Sequence, residues 1–297
     1  MTRIDRIIPN KWHLSGFNRL PYPSPRSGAY TFETKKAESL RTAGIVLHKF
    51  KACVSDFSQE EAAAYANVAL ARKDAAARGK VAVLGYSGLR VFQANAWGEL
   101  LPALCGNATA AAILSLKTSA GRLQVEGPGA VRVTADFLRS GSTIHQSWLI
   151  PGMTVTEFTW RGRYCVRVLG LNSYTVITGG LPVGMEPETC RVQLADGQPN
   201  AKLAVFGNGA AQNHVAFFNA SGRHGAAPMT GLASLAVAAH ALPQFAARIK
   251  APDITFQTAC DCETYTLSPV SRAGDGRLRI ALPDVEAFVS PLREVTQ

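Results

Sequence analysis

Short apolar and β-branched runs, separated by glycine, proline and asparagine turns, dominate this chain. They predict strands over 44–49, 80–86, 90–94, 122–126, 129–134, 143–150, 154–160 and 164–169. In the later half they predict strands over 174–178, 202–206, 213–218, 253–258, 263–267 and 277–282. Helical signals are fewer. Ser58 can cap a helix over 58–78, with Glu60 and Glu61 in its first turn, alanines through its body and Gly79 at its end. Two shorter helices rich in small residues are expected over 106–117 and 231–241. Many strands with few helices indicate an α+β fold built from curled sheets.

The two small-residue helices sit in similar surroundings. Val91–Leu116 reads VFQANAWGELLPALCGNATAAAILSL, and Phe217–Leu242 reads FFNASGRHGAAPMTGLASLAVAAHAL. Each has an apolar strand end, an Asn-Ala-x-Gly turn, a loop, and then x-Gly-x-Ala opening a helix. Asn95 precedes Cys105 by 10 residues and Asn219 precedes Thr230 by 11, and the two helix starts lie 125 residues apart. The shared order and spacing indicate a duplicated half-domain. The expected organisation is an N-terminal half over 1–153 carrying Cys105 and a C-terminal half over 154–297 carrying Thr230. The last strand is expected to return to the first half, and one cleft lies between the two.

A helix start has backbone N–H groups without intrahelical partners and carries partial positive charge. Glycine there leaves the backbone open to a carboxylate or phosphate. Two such ends facing each other would cradle one small anion, with Gly106, Asn107, Gly231 and Leu232 as the N–H donors. A cysteine at such an end is favoured as thiolate. Cys105 holds that place and could take a proton from the carbon beside a bound carboxylate. An isolated Cys-Gly-Asn would read as a buried structural thiol; the duplicated frame favours the base. Cys53, Cys165 and Cys190 have no such frame and are read as structural.

Composition narrows the function classes. At 47% hydrophobic and 18% charged, the 297 residues can bury a large core and are not a disordered chain. No apolar run reaches the length of a membrane span, and Met1–Asn10 has no apolar leader, so the cytoplasm is the expected compartment. Net charge is +10, yet the basic residues are scattered and do not interleave with aromatics. This argues against nucleic acid and leaves two readings, a field that draws small anions or a solvated basic surface. Cys260-Asp261-Cys262 lacks a second Cys/His pair, and His145, His214 and His240 show no ligand spacing, so no metal site is expected.

Leu104-Cys105-Gly106-Asn107-Ala108, preceded by Asn95-Ala96-x-Gly98-Glu99, resembles the first active-site motif of the diaminopimelate epimerase-like superfamily. Gly225-Ala226-Ala227-Pro228-Met229-Thr230-Gly231-Leu232-Ala233 stands where that family has its second, cysteine-bearing motif. Leu171-Asn172-Ser173-Tyr174 resembles its central segment, and Arg277 through Phe288 its closing strand. The resemblance implies two pseudo-symmetric halves, each a curled mixed sheet around a central helix, with the active site in the cleft. It also implies cofactor-independent chemistry in which one thiol removes an α-proton and an opposed thiol returns one. The helix ends would stabilise the enolate-like intermediate.

Thr230 replaces the second thiol, and a threonine hydroxyl is too weak an acid to mirror a thiolate. The Pro-Met-Thr-Gly string resembles the methylaconitate isomerase branch, which shifts a double bond. A cysteine/threonine pair accompanies dehydration in proline racemase relatives. The phenazine biosynthesis branch lacks both cysteines, so Cys105 argues against it. The expected function is an isomerase, a racemase, epimerase or double-bond isomerase, acting beside a carboxylate of a small amino acid or unsaturated polycarboxylic acid. Cys105 is its base. The alternatives are a lyase using the same base, or a silent small-molecule-binding homologue. Thr230 would donate a hydrogen bond or occupy the second face. His224 is either a proton relay or a loop histidine bonded to backbone. Arg223 either pairs with a second carboxylate or lies on the surface. Asn95 and Asn172 would hold polar groups of the substrate, Asn213 reads as a strand-end residue, and Ser27 is a further candidate contact. No cofactor, metal, nucleic acid or membrane partner is expected, and the expected assembly is a homodimer.

Overall fold

In a computed structural model, the described residues are 29–36, 42–49, 80–86, 88–94, 100–195, 197–198, 201–220, 222–257 and 262–290. The helix expected over 58–78, the start Met1–Asn10, and Ser27, Cys53 and Cys260 lie outside them. The architecture is α+β, with two large sheets and few helices.

The first sheet comprises β1 (Ala29–Lys36), β2 (Thr42–Lys49), β3 (Lys80–Gly85), β4 (Gly88–Ala94), β5 (Leu100–Pro102), β6 (Ala120–Glu126), β7 (Arg132–Ser140) and β8 (Thr143–Ile150). The second comprises β9 (Thr154–Trp160), β10 (Arg163–Leu169), β11 (Tyr174–Ile177), β12 (Lys202–Phe206), β13 (His214–Asn219), β14 (Gly222–Arg223), β15 (Asp253–Gln257) and β16 (Cys262–Thr266). The chain then returns to the first sheet with β17 (Val270–Arg272), β18 (Leu278–Ala281) and β19 (Val285–Ser290).

Around the first sheet the order β8-β19-β1-β2-β3-β4-β6-β7 closes on itself, because β7 also pairs with β8. β2–β3 and β4–β6 are parallel, and the other pairs of this ring are antiparallel. Helix α1 (Gly106–Leu114) runs inside, touching β1, β2, β3, β4, β7, β8 and β19. A closed ring of about eight strands has room only for small side chains around a central helix. The sequence supplies them: Ala108, Ala110, Ala111, Ala112 and Ile113 are all buried, on every side of the helix. A helix that is apolar all round belongs in a core. Along β8 the inward residues Ile144, Gln146, Trp148 and Ile150 alternate with outward ones, as strand geometry requires. The outward His145 pairs with Asp284 at 2.7 Å.

The second sheet has the order β16-β15-β13-β12-β11-β10-β9, with β14 beside β13. Strand alternation sorts it into two faces. Val166, Val168, Val176, Ala204 and Phe206 join one core with α3 (Met229–Ala241) and α4 (Pro243–Ile249). Cys165, Ile177 and Leu203 point the other way, against Cys190 and Leu194 of α2 (Pro187–Leu194). Burial pushes the Cys165 thiol up to about 11 and raises Cys190 as well, so both are held as neutral thiols.

Helix α3 joins the two cores. Its stripe Met229, Ala233 and Val237 packs into the first core, while Leu232, Leu235, Ala236 and Ala238 pack into the second. Each large apolar side chain buried this way contributes about 1.5–3 kcal/mol.

Several details differ from the sequence expectation. The strand expected from 129 starts at Arg132, because Pro128–Ala130 forms a 3-10 turn with Gly129 at φ +63°, where a side chain would be strained. The helix expected to reach 117 ends at Leu114, where Arg139 donates to the carbonyls of Leu114 and Leu116 at 3.0 and 2.9 Å. β1, β5, β14, β17, α2 and α4 were not foreseen.

Candidate functional site

Cys105 is the N-cap of α1, in extended conformation (φ −146°, ψ 112°), and its thiol is free and partly exposed. Its carbonyl accepts from the Thr109 N–H and the Thr109 hydroxyl, both at 3.0 Å, which closes the first turn. The N–H groups of Gly106, Asn107 and Ala108 therefore have no intrahelical partner, and Cys105 supplies no side-chain cap. Behind this end the buried Gln146 donates to the Gly106 carbonyl at 3.1 Å and accepts from the Trp148 indole at 3.2 Å. The start of α1 is thus pinned to β8.

The start of α3 is similar but not identical. Pro228 is its N-cap, and the Leu232 N–H closes the first turn onto the Pro228 carbonyl at 2.9 Å. The N–H expected from Leu232 is therefore used within the helix, and Met229, Thr230 and Gly231 carry the unpaired ones. Leu232 contributes its side chain to the second core. The two helix ends meet closely. A Cβ on Gly106 would run into the Met229 methyl, and one on Gly231 would lie 2.7 Å from the Phe217 ring and 2.8 Å from Pro228. At Gly231 the rigid Phe217 ring and Pro228 already fill the space and glycine is needed, whereas at Gly106 the neighbour is the flexible end of Met229, which would have to move aside.

Asn172, buried just before β11, links the halves. Its Oδ1 accepts from the Leu104 N–H at 3.4 Å, and its Nδ2 donates to the Leu104 carbonyl at 3.3 Å and to the Thr230 hydroxyl at 3.0 Å. One amide thus holds the peptide next to Cys105 and the side chain at the second motif. The Tyr174 hydroxyl lies 3.4 Å from the same Thr230 oxygen. Burial raises the Tyr174 hydroxyl well above the usual phenol range; the Thr230 bond opposes this and the charge of Cys105 adds to it.

Lys202 completes the group. It pairs with Tyr174 across β11–β12, and its ammonium lies 5.6 Å from the Tyr174 ring centre. It is 8% exposed. Burial, helped by the Lys80 charge and opposed by Cys105, pushes it down to about 8. Lys202 was not anticipated as a site residue. The signal was present: in the strand expected over 202–206, Lys202 shares a face with Ala204 and Phe206, so its ammonium had to point inward.

The remaining expected residues fall as follows. The Asn107 Oδ1 is buried with no hydrogen-bond partner. His224 is half-buried in the loop before α3, and its backbone N–H donates to Phe217 at 2.8 Å. Arg223 is exposed on β14 and donates to the Gln257 carbonyl at 2.6 Å, in the plane of the second sheet. Asn95 lies outside the described residues. No group of three His, Cys, Asp or Glu residues suited to a metal occurs among the described residues, nor does a helix long and apolar enough to cross a membrane.

No protein-family profile and no curated protein matches this chain. Among solved structures, a predicted epimerase from Pseudomonas aeruginosa superposes over 91% of this chain and 99% of its own, with a TM-score of 0.54 at 10% identity. Two others align less well. A phenazine biosynthesis PhzC/PhzF protein from Clostridium difficile covers 88% of this chain and 96% of its own (TM-score 0.46, 10% identity). A PhzF-family phenazine biosynthesis protein from Enterococcus faecalis covers 88% and 100% (TM-score 0.45, 12% identity). The chain shares the two-sheet α+β fold of the predicted epimerase, and that likeness concerns the fold alone.

Proposed function

We propose that this protein is a cofactor-independent isomerase that moves a proton at the carbon next to a carboxylate, with Cys105 as the base. The observation that carries this reading is the Asn172 bridge, which ties the Cys105 peptide to the start of the second central helix. Around it, the unpaired N–H groups at the starts of α1 and α3 suit a carboxylate and the enolate-like charge that follows deprotonation. The Asn107 oxygen, buried and unpartnered, suits a donor on the substrate such as an amino or hydroxyl group. Cys105 takes the proton from the carbon; the electrons of that C–H bond pass into the carboxylate-stabilised anion; a proton then returns to carbon at the opposite face or at an allylic position.

The test is exchange in heavy water. The panel contains both enantiomers of aspartate, glutamate and proline, the stereoisomers of diaminopimelate, and cis-aconitate. NMR follows deuterium entering carbon. Exchange with an inverted centre, or with a shifted double bond, is the expected result. Loss of water would make the protein a lyase and overturn isomerisation. Exchange in no member of the panel would overturn the reading for these substrate classes.

A further inference from the structure

We infer that Lys202 is the second proton-transfer group of this site, so that a thiol and an amine work as an unlike pair where the sequence lacks a second cysteine. The inference rests on the proposed function and deepens it.

Four observations carry it. First, Lys202 is more than nine-tenths buried, on the strand face that its neighbours Ala204 and Phe206 turn toward α3. A lysine so placed ordinarily has a carboxylate partner. Among the described residues its ammonium has no ion pair. Second, its ammonium lies 5.6 Å from the ring centre of Tyr174, whose hydroxyl reaches Thr230, and the charges that act on it belong to Cys105 at the start of α1 and Lys80 on β3. The amine is therefore within electrostatic reach of the proposed base. Third, the Thr230 hydroxyl accepts from Asn172 and lies 3.4 Å from the Tyr174 hydroxyl, and as an aliphatic alcohol it is far too weak an acid to replace a thiol at the aligned position. Fourth, an ammonium in this environment gives up its proton far more readily than one in water, as an acid working near neutral pH must.

The steps balance. Cys105 thiolate forms an S–H bond as the substrate C–H bond breaks, and the electron pair stays on the substrate. The Lys202 N–H bond then breaks as a new C–H bond forms, leaving thiol and neutral amine. One proton passing from thiol to amine restores the starting state, and no oxidant or reductant is consumed.

The experiment uses Lys202→Met, Lys202→Arg and Lys202→Ala in the full chain, with the panel acid that wild type turns over in heavy water. With Lys202→Met, deuterium still enters the carbon facing Cys105, while product formation falls by about 10²–10⁴ at little change in KM. Lys202→Arg keeps the charge but cannot release a proton, so product formation falls as far. Added methylamine partly restores product formation in Lys202→Ala. Urea midpoints establish that each variant is folded. Full activity in Lys202→Arg, or a rise in KM with unchanged kcat in Lys202→Met, would make Lys202 a counter-charge for a substrate carboxylate and overturn the inference. Wild-type levels of product in Lys202→Met would overturn it as well. Absence of exchange in wild type would instead overturn the proposed function.

Discussion

Replacing Lys202 by methionine should stabilise the protein at neutral pH. Methionine keeps most of the unbranched stem and removes the ammonium, so packing along β12 is largely retained. Folding moves the lysine from an ordinary value of 10.5 to about 8, mainly through burial. Disfavouring the charged form to that extent corresponds to about 3 kcal/mol at pH 7. The contact with Tyr174 offsets part of this; a cation over an aromatic ring at 5.6 Å contributes about 0.5–2 kcal/mol. The net expected gain for Lys202→Met is about 1–3 kcal/mol at pH 7. The sign with pH follows from proton binding. Between pH 8 and 10.5 the unfolded chain binds the lysine proton and the native chain has released it, so wild-type stability from this group rises across that window. The advantage of Lys202→Met should therefore be full below pH 8 and gone above about 10.5. Urea unfolding of both proteins at pH 7 and pH 10.5 measures it, with m compared to ensure that the same surface is exposed. A variant less stable than wild type at pH 7, or an advantage that grows with pH, would refute the reasoning.

Other substitutions probe the neighbouring contacts. Asn172→Leu leaves both polar groups of the Leu104 peptide buried without their partner, so a loss of about 2–4 kcal/mol in urea unfolding is expected; an unchanged midpoint would mean the bridge is inert. Gly231→Ala drives a Cβ into Phe217 and Pro228 and should cost about 1–3 kcal/mol despite the better helix propensity of alanine, whereas a stabilised variant would contradict the close approach of these elements. Thr230→Cys places a thiol where Asn172 and Tyr174 now hold a hydroxyl; it should raise racemisation in the heavy-water assay if position 230 faces the substrate, and unchanged stereochemistry would place it outside the reacting centre.

Parts of this architecture are written locally. Period-two patterns mark strands such as 143–150 and 154–160, and the all-alanine face of 106–114 marks a helix with no side toward water. The closure of the first sheet is not local: it depends on β7 meeting β8 and on β19 inserting between β8 and β1, across up to 259 residues of chain (290 − 31) between the partners Thr31 and Ser290. Helix α2 was missed because its sequence is mostly polar and buries only Cys190, Arg191 and Leu194. At the site, Cys105, Gly106 and Thr230 stand out through the repeated motif, and Asn172 through the family resemblance of Leu171–Tyr174. The contacts joining them do not, because the Asn172 amide spans 68 residues to Leu104 and 58 to Thr230. Lys202 belongs to no motif; only its strand face, combined with its charge, distinguishes it.

The central claim is that Cys105 removes a carbon-bound proton. Its most direct test compares wild type with Cys105→Ser for deuterium entry into whichever panel acid exchanges, at equal concentration of folded protein. A serine hydroxyl is a far weaker acid than a thiol and is un-ionised at neutral pH. The account predicts that exchange falls by at least about 10²-fold, the usual contribution of a positioned base. Exchange by Cys105→Ser at the wild-type rate would contradict it.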